Sequence, residues 1–268
     1  MQLNLEVCKT IAVQYGLPLQ FVVKEFHVFD VLGQIAMITA PSKELVFKGG
    51  TALNKVYLGK LQRFSEDIDF DLDAQSMSEV RGKCREISRK LKGYSIGEMR
   101  RVGDTIQFYC GFESPLGGSD HVRVDIAAKK ILTENPIETR TALSELSVPS
   151  PLFVTGFFVY SIEDLTARKL HALCTRTEGK DIYDASNALP LCGKMRGAIK
   201  KMLESEGKKA LAPEAFIEKT ISAVRKADHK KLRNLTNPFI PTSSRPKDWL
   251  ELKNDLLMKL ETLQKEET

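Results

Sequence analysis

The chain has little that would mark a secreted, membrane-bound or redox protein. Its five cysteines, Cys8, Cys84, Cys110, Cys174 and Cys192, are scattered and odd in number, with no Cys-x-x-Cys pair. That excludes a disulfide framework and a zinc ribbon as organising devices. No stretch approaches the roughly 18 apolar residues of a membrane helix, and the N-terminus shows no basic start followed by an apolar run. A cytoplasmic location without a membrane partner is therefore expected. No Gly-x-x-x-x-Gly-Lys-Ser/Thr and no Gly-x-Gly-x-x-Gly occurs, so P-loop NTPase and dinucleotide-binding readings fall away. None of the four histidines stands in a pattern for a nucleophile, ligand or base, and Ser65 has no adjacent His, so a hydrolase triad has no support. Internal repeats are missing too, and no low-complexity segment is longer than the polar tail.

What is present is ordinary globular material: 268 residues, 42% hydrophobic and 28% charged, enough for one large domain or two modest ones. The net charge of +5 is unevenly distributed. Between Lys194 and Arg233 stand twelve Lys and Arg against five Asp and Glu, a surplus of seven, so the rest of the chain carries −2. A concentrated basic face suits a polyanion such as RNA, because neutralising phosphates releases counterions. A solvated helix surface would look the same.

Apolar residues recur at three and four through Leu5, Cys8, Ile11, Ala12 and Tyr15, and again through Val22, Phe26, Phe29, Leu32 and Ala36. This spacing predicts a pair of helices divided near Gly16 and Pro18 and ended by Pro41-Ser42. Leu45-Val46-Phe47 then leads through Lys48-Gly49-Gly50-Thr51 into the helical Ala52 to Leu58, a strand, glycine turn and helix. Asp67-Ile68-Asp69-Phe70-Asp71-Leu72-Asp73 alternates strictly, as a half-buried strand does. A helix is expected from Ser78 to Leu91. Strands are expected at Thr105–Tyr109 and His121–Ile126, with Gly117 to Asp120 as the turn between them. Pro149, Pro151 and the run Phe153 to Tyr160 indicate a last strand or crossover. From Ser161 onward the pattern is helical, opened by a Ser161–Asp164 cap and closed by the stripe Trp249, Leu252, Leu256, Leu260 and Leu263. The expected layout is an α/β half at 1–160 and a helical half at 161–268.

Two carboxylates separated by one strand residue lie on the same face, a few ångströms apart. Their repulsion raises both pKa values unless a divalent cation lies between them, which makes Asp67 and Asp69 natural ligands for magnesium. Asp125, in another alternating segment, is the best third carboxylate, while Asp71 and Asp73 lie farther along. Taken alone, such an alternation is more often a solvated strand face. The upstream turn changes the balance. Gly49 and Gly50 let a triphosphate approach backbone N–H groups at a helix start, and Thr51 adds a hydroxyl donor.

Lys48-Gly49-Gly50-Thr51-Ala52-Leu53 together with Arg63-Phe64-Ser65-Glu66-Asp67-Ile68-Asp69-Phe70 resembles the AbiEii/AbiGii nucleotidyltransferase toxin family, whose fold is the mixed-sheet α/β (α+β) core of DNA polymerase β-like enzymes. A weaker third block runs from Asp164 to Leu173 and on through Arg176 and Gly179-Lys180-Asp181-Ile182-Tyr183-Asp184. The resemblance covers residues 45 to 190. It implies that Asp67 and Asp69, with Asp125 more weakly, hold magnesium, two ions in all. It also implies that Lys48, Gly49, Gly50 and Thr51 meet the NTP phosphates, that Lys169 meets the triphosphate, and that Asp181 or Asp184 is the acid of the last motif. Lys180 stands where many family members have arginine, which keeps charge and loses a bidentate fork.

On residues alone, Lys169 stands among Leu165, Leu170 and Leu173, and Asp181 and Asp184 share a helix face where pairing with Lys180 would be the plain role. Arg63 either holds a phosphate or balances the carboxylates. The expected activity is transfer of a nucleoside monophosphate from an NTP to an acceptor hydroxyl, with Asp125, or a hydroxide near it, taking the acceptor proton. The basic half and the resemblance both favour RNA, and the 3′ end of tRNA above all, in a toxin with a cognate antitoxin encoded nearby. A protein or small-molecule acceptor, and a non-catalytic nucleic-acid-binding module, are the alternatives.

Overall fold

A computed structural model describes residues 3–40, 42–147 and 151–265, so Pro41, read above as the end of the helical pair, and Pro149, read as part of a last strand or crossover, lie outside the described residues. Helix α1 (Leu5–Tyr15) is opened by Asn4, whose side chain accepts from the Glu6 and Val7 N–H groups, and is closed by Gly16 at φ 60°. A left-handed C-cap of this kind is the position glycine occupies without strain. Pro18 starts α2 (Leu19–Thr39), which buries Val22, Val28, Phe29, Leu32 and Ile35. The helical pair expected from the periodicity is therefore formed.

Strand β1 (Leu45–Lys48) runs into a four-residue helical turn, α3 (Gly49–Ala52), which widens into a π-helical stretch at Leu53–Leu58. Sequence spacing predicts an ordinary helix there. The wider turn accompanies two buried polar side chains, Asn54 and Lys55, and Asn54 Nδ2 donates to the Gly50 carbonyl. Single π-turns of this type are frequent beside functional sites.

Strands β2 (Asp67–Leu72), β3 (Ser95–Ile96), β4 (Arg100–Val102), β5 (Thr105–Glu113), β6 (Ser119–Ala128), β7 (Glu138–Ser144) and β8 (Leu152–Val159) complete one sheet with β1, in the order β3-β5-β6-β2-β1-β8-β7, with β4 also on β5. The sheet is mixed: β1 is antiparallel to β2 and parallel to β8, and β2 is parallel to β6. Three strands were not legible. β3 and β4 are too short to show alternation, and β7 is a largely exposed edge strand with charged residues at Glu138 and Arg140. Helix α4 (Met77–Lys90) and α2 cover the sheet, and their apolar faces join α1 and the strands in one core.

The second half consists of α5 (Ile162–Thr175), α6 (Gly179–Ala188), α7 (Met195–Ser205), α8 (Pro213–Lys226), α9 (His229–Thr236) and α10 (Trp249–Lys265). Ser161 accepts from the Asp164 N–H at 3.1 Å, which is the expected cap of α5. A separate apolar cluster forms here around Leu170, Ile199, Phe216, Trp249, Leu256 and Leu260, so the stripe on α10 is packed core. Among the described residues no helix is long and apolar enough to cross a membrane. Helices α5 and α6 lie against α3 and the π-turn, which brings the glycine turn of the first core to the wall of the second.

Candidate active site

Strand pairing assembles the acidic side. The parallel register of β2 and β6 sets Asp69 directly beside Asp125 and Asp67 beside Arg123, while the antiparallel register of β1 sets Lys48 opposite Asp69. Residues paired across neighbouring strands point to one face, so the sequence-distant Asp125 joins the Asp67/Asp69 pair. Asp71, next on that face, has another job. It is 2% exposed, takes Lys48 Nζ at 2.5 Å and Tyr160 OH at 2.8 Å, and so anchors the lysine. Asp73 lies beyond the strand and is exposed.

Gly49 sits at φ 78°, and a Cβ there would collide with the Asp69 carboxylate. A Cβ on Gly50 would come within 2.8 Å of the Arg63 guanidinium. The glycines therefore permit two close approaches, one to the acid and one to the base. Thr51 is 1% exposed, and its hydroxyl is bonded to Ser65 Oγ and the Asp67 carbonyl. It ties the turn to the acidic strand from behind and does not line the cavity.

A cavity of about 540 Å³ lies between the two cores, and its wall includes Lys48, Gly49, Gly50, Arg63, Asp67, Asp69, Arg123, Arg168, Lys169, Arg176 and Lys180. Lys169, 8% exposed, is held at 3.0 Å by Asp181 and at 3.0 Å by Asp184. Asp184 also takes a fork from Arg63, at 2.9 and 2.7 Å, and Asp181 takes one from Arg176, at 2.9 and 3.0 Å. Three cations thus alternate with two fully buried carboxylates, leaving one surplus positive charge facing the cavity. Asp181 and Asp184 stand behind the cations, not at the wall. Their partners are Lys169, Arg63 and Arg176, whereas Lys180 lies 3.6 Å from the centre of the Phe239 ring.

Electrostatics separates the two sides. Burial pushes the Asp69 carboxyl up to about 6; Lys48 opposes this, and Asp125 and Asp67 reinforce it. Burial likewise raises Asp67 and Asp125, against the pull of Arg123. Burial would also raise Asp181, but the bonds from Arg176 and the charge of Lys169 outweigh it and bring it down to about 2. Asp184 is lowered in the same way: burial is overcome by Arg63 and Lys169.

Three oxygen-rich carboxylates with raised pKa values have the donor chemistry of a hard divalent cation site. Asp125 Oδ1 is buried with no hydrogen-bond partner, as a ligand atom held ready for a cation would be. One residue stands in the way. Arg123 bonds Asp67 Oδ2 at 2.6 Å and lies 3.4 Å from Asp125 Oδ2, whose other contact is Gln107 at 3.1 Å. Asp125 does not reach the cavity wall, and among the described residues no three acidic, His or Cys side chains close around a common point. The donor set fits a divalent ion, and the ion's seat is bridged by a guanidinium.

Sequence reasoning did not assign Arg123, Arg168 and Arg176 to the cavity, and it treated His171 as bland. His171 lines the wall with its Nε2 2.7 Å from Lys208 Nζ. Arg168 and Arg176 lay within the quoted third block, so proximity to Lys169 was an available signal. For Arg123 the alternation with Asp125 was the only one.

The profile of the family described as "Nucleotidyl transferase AbiEii toxin, Type IV TA system" matches residues 30–265. Among solved structures, the fold is similar to MenT4, a nucleotidyltransferase toxin of Mycobacterium tuberculosis H37Rv, at TM-score 0.66 and 17% identity over 100% of this chain and 91% of that one. A Bradyrhizobium diazoefficiens CD-NTase, CdnG in complex with GTP, aligns at 13% identity over 98% of this chain and 85% of that one, at TM-score 0.23, too low to bear on the fold. No curated protein matches the sequence.

Proposed function

The chain belongs to the AbiEii family of nucleotidyltransferase toxins of type IV toxin–antitoxin systems, and from that premise we propose that it transfers a nucleoside monophosphate from an NTP to the 3′ end of tRNA in a magnesium-dependent reaction. The observation that carries the reading is the register of β2 and β6, which pairs Asp69 with Asp125 across from a cationic wall centred on Lys169. One side suits metal ions and the other suits a polyphosphate.

Asp67, Asp69 and Asp125 would hold the magnesium, two ions in all, which supplies charge neutralisation at the α-phosphate and at the departing pyrophosphate. Lys169, Arg63 and the glycine-turn amides hold the β- and γ-phosphates, and Lys48, fixed by Asp71, stands beside the acidic pair. The acceptor oxygen forms a bond to the α-phosphorus as the α–β bridging bond breaks, and the acceptor proton passes to Asp125 Oδ2, the oxygen beside Arg123, while Oδ1, which has no partner, is kept for the cation. Arg123 moves off Asp125 for this to occur. The protein then contributes mainly positioning and preset charge. Growth inhibition follows from tRNA ends that no longer accept amino acids, and a cognate antitoxin encoded nearby relieves it.

The deciding test incubates purified protein with total tRNA, magnesium and each α-labelled NTP, alongside Asp67→Ala and Lys169→Ala. Label on RNA with one NTP, lost in Asp67→Ala, supports the reading. Tight NTP binding without transfer to any RNA would sink the tRNA acceptor and redirect the search to protein or small-molecule hydroxyls.

A further inference from the structure

A second cavity of about 760 Å³ adjoins the first and shares Arg176, Glu178 and Lys180 with it. Its volume falls within the roughly 300–1,000 Å³ that small-ligand sites span. The far wall is built from the end of α8 and one face of α9, inside the basic segment. Two features make it unlike an ordinary interhelical cleft. Leu235 lies 62% exposed on its rim, a costly position for a leucine, beside the Phe239 ring. Lys226 and Lys231 flank that apolar floor, both exposed, and neither makes an ion pair among the described residues. Asp228, the nearest acid on this wall, is spent on the Lys230 and Lys231 N–H groups as the cap of α9.

Phe239 is fixed in place. It stacks on Phe21 at 4.9 Å, Phe21 stacks on Phe64 at 4.5 Å, and Lys180 Nζ lies over its ring, 3.6 Å from the centre. Phe64 is separated from the acidic strand by Ser65 and Glu66, so one stack of rings links the Phe239 floor to the segment that leads into that strand.

We propose that this second cavity seats an unpaired nucleotide of the acceptor strand, with its base against Leu235 and the edge of Phe239 and its phosphates at Lys226 and Lys231. The inference rests on the RNA-acceptor reading and specifies where the strand lies before its 3′ hydroxyl enters the first cavity. Apolar contact to a base is tolerant of sequence and needs an unstacked strand, while paired lysines follow the backbone charge. A duplex offers no exposed base face to such a floor.

The test uses the full chain, a 5′-fluorescein-labelled single-stranded RNA dodecamer and the same strand annealed to its complement, with affinity read by anisotropy across a salt series. NTP affinity is measured on the same variants by calorimetry. All substituted side chains are exposed, so folding is preserved and is checked by melting. The combined Lys226→Glu and Lys231→Glu variant is expected to weaken single-strand binding by about tenfold or more and to reduce the salt slope by about two. Leu235→Asp is expected to weaken it several-fold, through loss of apolar contact with the base and added negative charge beside the strand's phosphates. NTP affinity stays within about twofold in both. Wild-type protein that binds single strands, with both variants keeping its affinity and KM for RNA, would overturn the seat and leave the acceptor reading intact. Wild-type protein that binds no RNA would overturn both. Binding of fluorescein-labelled polyglutamate with no binding of RNA would assign the cavity to an acidic protein segment and overturn the proposal.

Discussion

The two sides of the first cavity present opposite electrostatics. On the β2/β6 side three carboxylates face one another with too little positive charge, and all three have raised pKa values. On the α5/α6 side Arg63, Lys169 and Arg176 are bound by Asp181 and Asp184, whose carboxyls are held low. The first wall is incomplete without an added cation. The second is complete in itself, because Asp181, Asp184 and Lys169 each have two partners of opposite charge and removing either buried acid leaves a cation short of its counter-charge. For the proposed metal–triphosphate complex, only the first wall has to change on loading.

The largest expected effect lies on the complete wall. Asp184→Ala leaves Arg63 and Lys169 without their shared acid, and thermal or denaturant unfolding should show a loss of about 3–5 kcal/mol. Equal stability of the variant would break the claim that this wall is a self-contained scaffold. On the incomplete wall, Asp69→Asn should leave the metal-free fold intact or more stable, while transfer falls about a thousandfold, as the loss of several kcal/mol of charge stabilisation implies.

The pH dependence should have opposite signs on the two sides. Asp181 has a carboxyl at about 2 against an ordinary 3.8. Its contribution to stability is therefore fully present above about pH 4 and is lost as pH falls through 2. Asp69, at about 6, works the other way: its ionisation disfavours the fold, so stability declines as pH rises from about 4 through 6. In melts of the metal-free protein across pH, Asp181→Asn should flatten the acid limb and Asp69→Asn the limb near pH 5. Unchanged profiles in both would remove the distinction.

Gly49→Ala forces a Cβ into the Asp69 carboxylate at a positive φ, and a loss of about 1–3 kcal/mol with displaced metal affinity is expected. The smallest effect tests the guanidinium bridge. Arg123→Gln removes the positive charge lying between Asp67 and Asp125, and Mn²⁺ titration should show binding tightened several-fold. Weaker Mn²⁺ binding would mean that Arg123 supports the acidic wall instead of standing in for its cation.

Local patterns made much of this legible. The period-two acids of β2, the Ser161 cap and the helical periodicities of α1, α2 and α10 are short-range features, and each formed as read. The β3, β4 and β7 strands were not legible, because short or edge strands bury too little to impose an alternation. Roles within the site were harder still. Thr51, Asp181 and Asp184 belong to the right motifs, yet they stand behind the wall, and Asp71 continues the acidic face only to anchor Lys48.

Chemistry of the residue types and their spacing along one element thus specified which side chains belong together: carboxylates two apart share a strand face whatever surrounds them. Which charges meet across 121 residues, as Arg63 and Asp184 do, depends on the packing of two separate cores. So does the choice of carboxylates that keep a partner and those left waiting for one. Burial and pairing are properties of neighbours brought together in space, and no period in the chain encodes them.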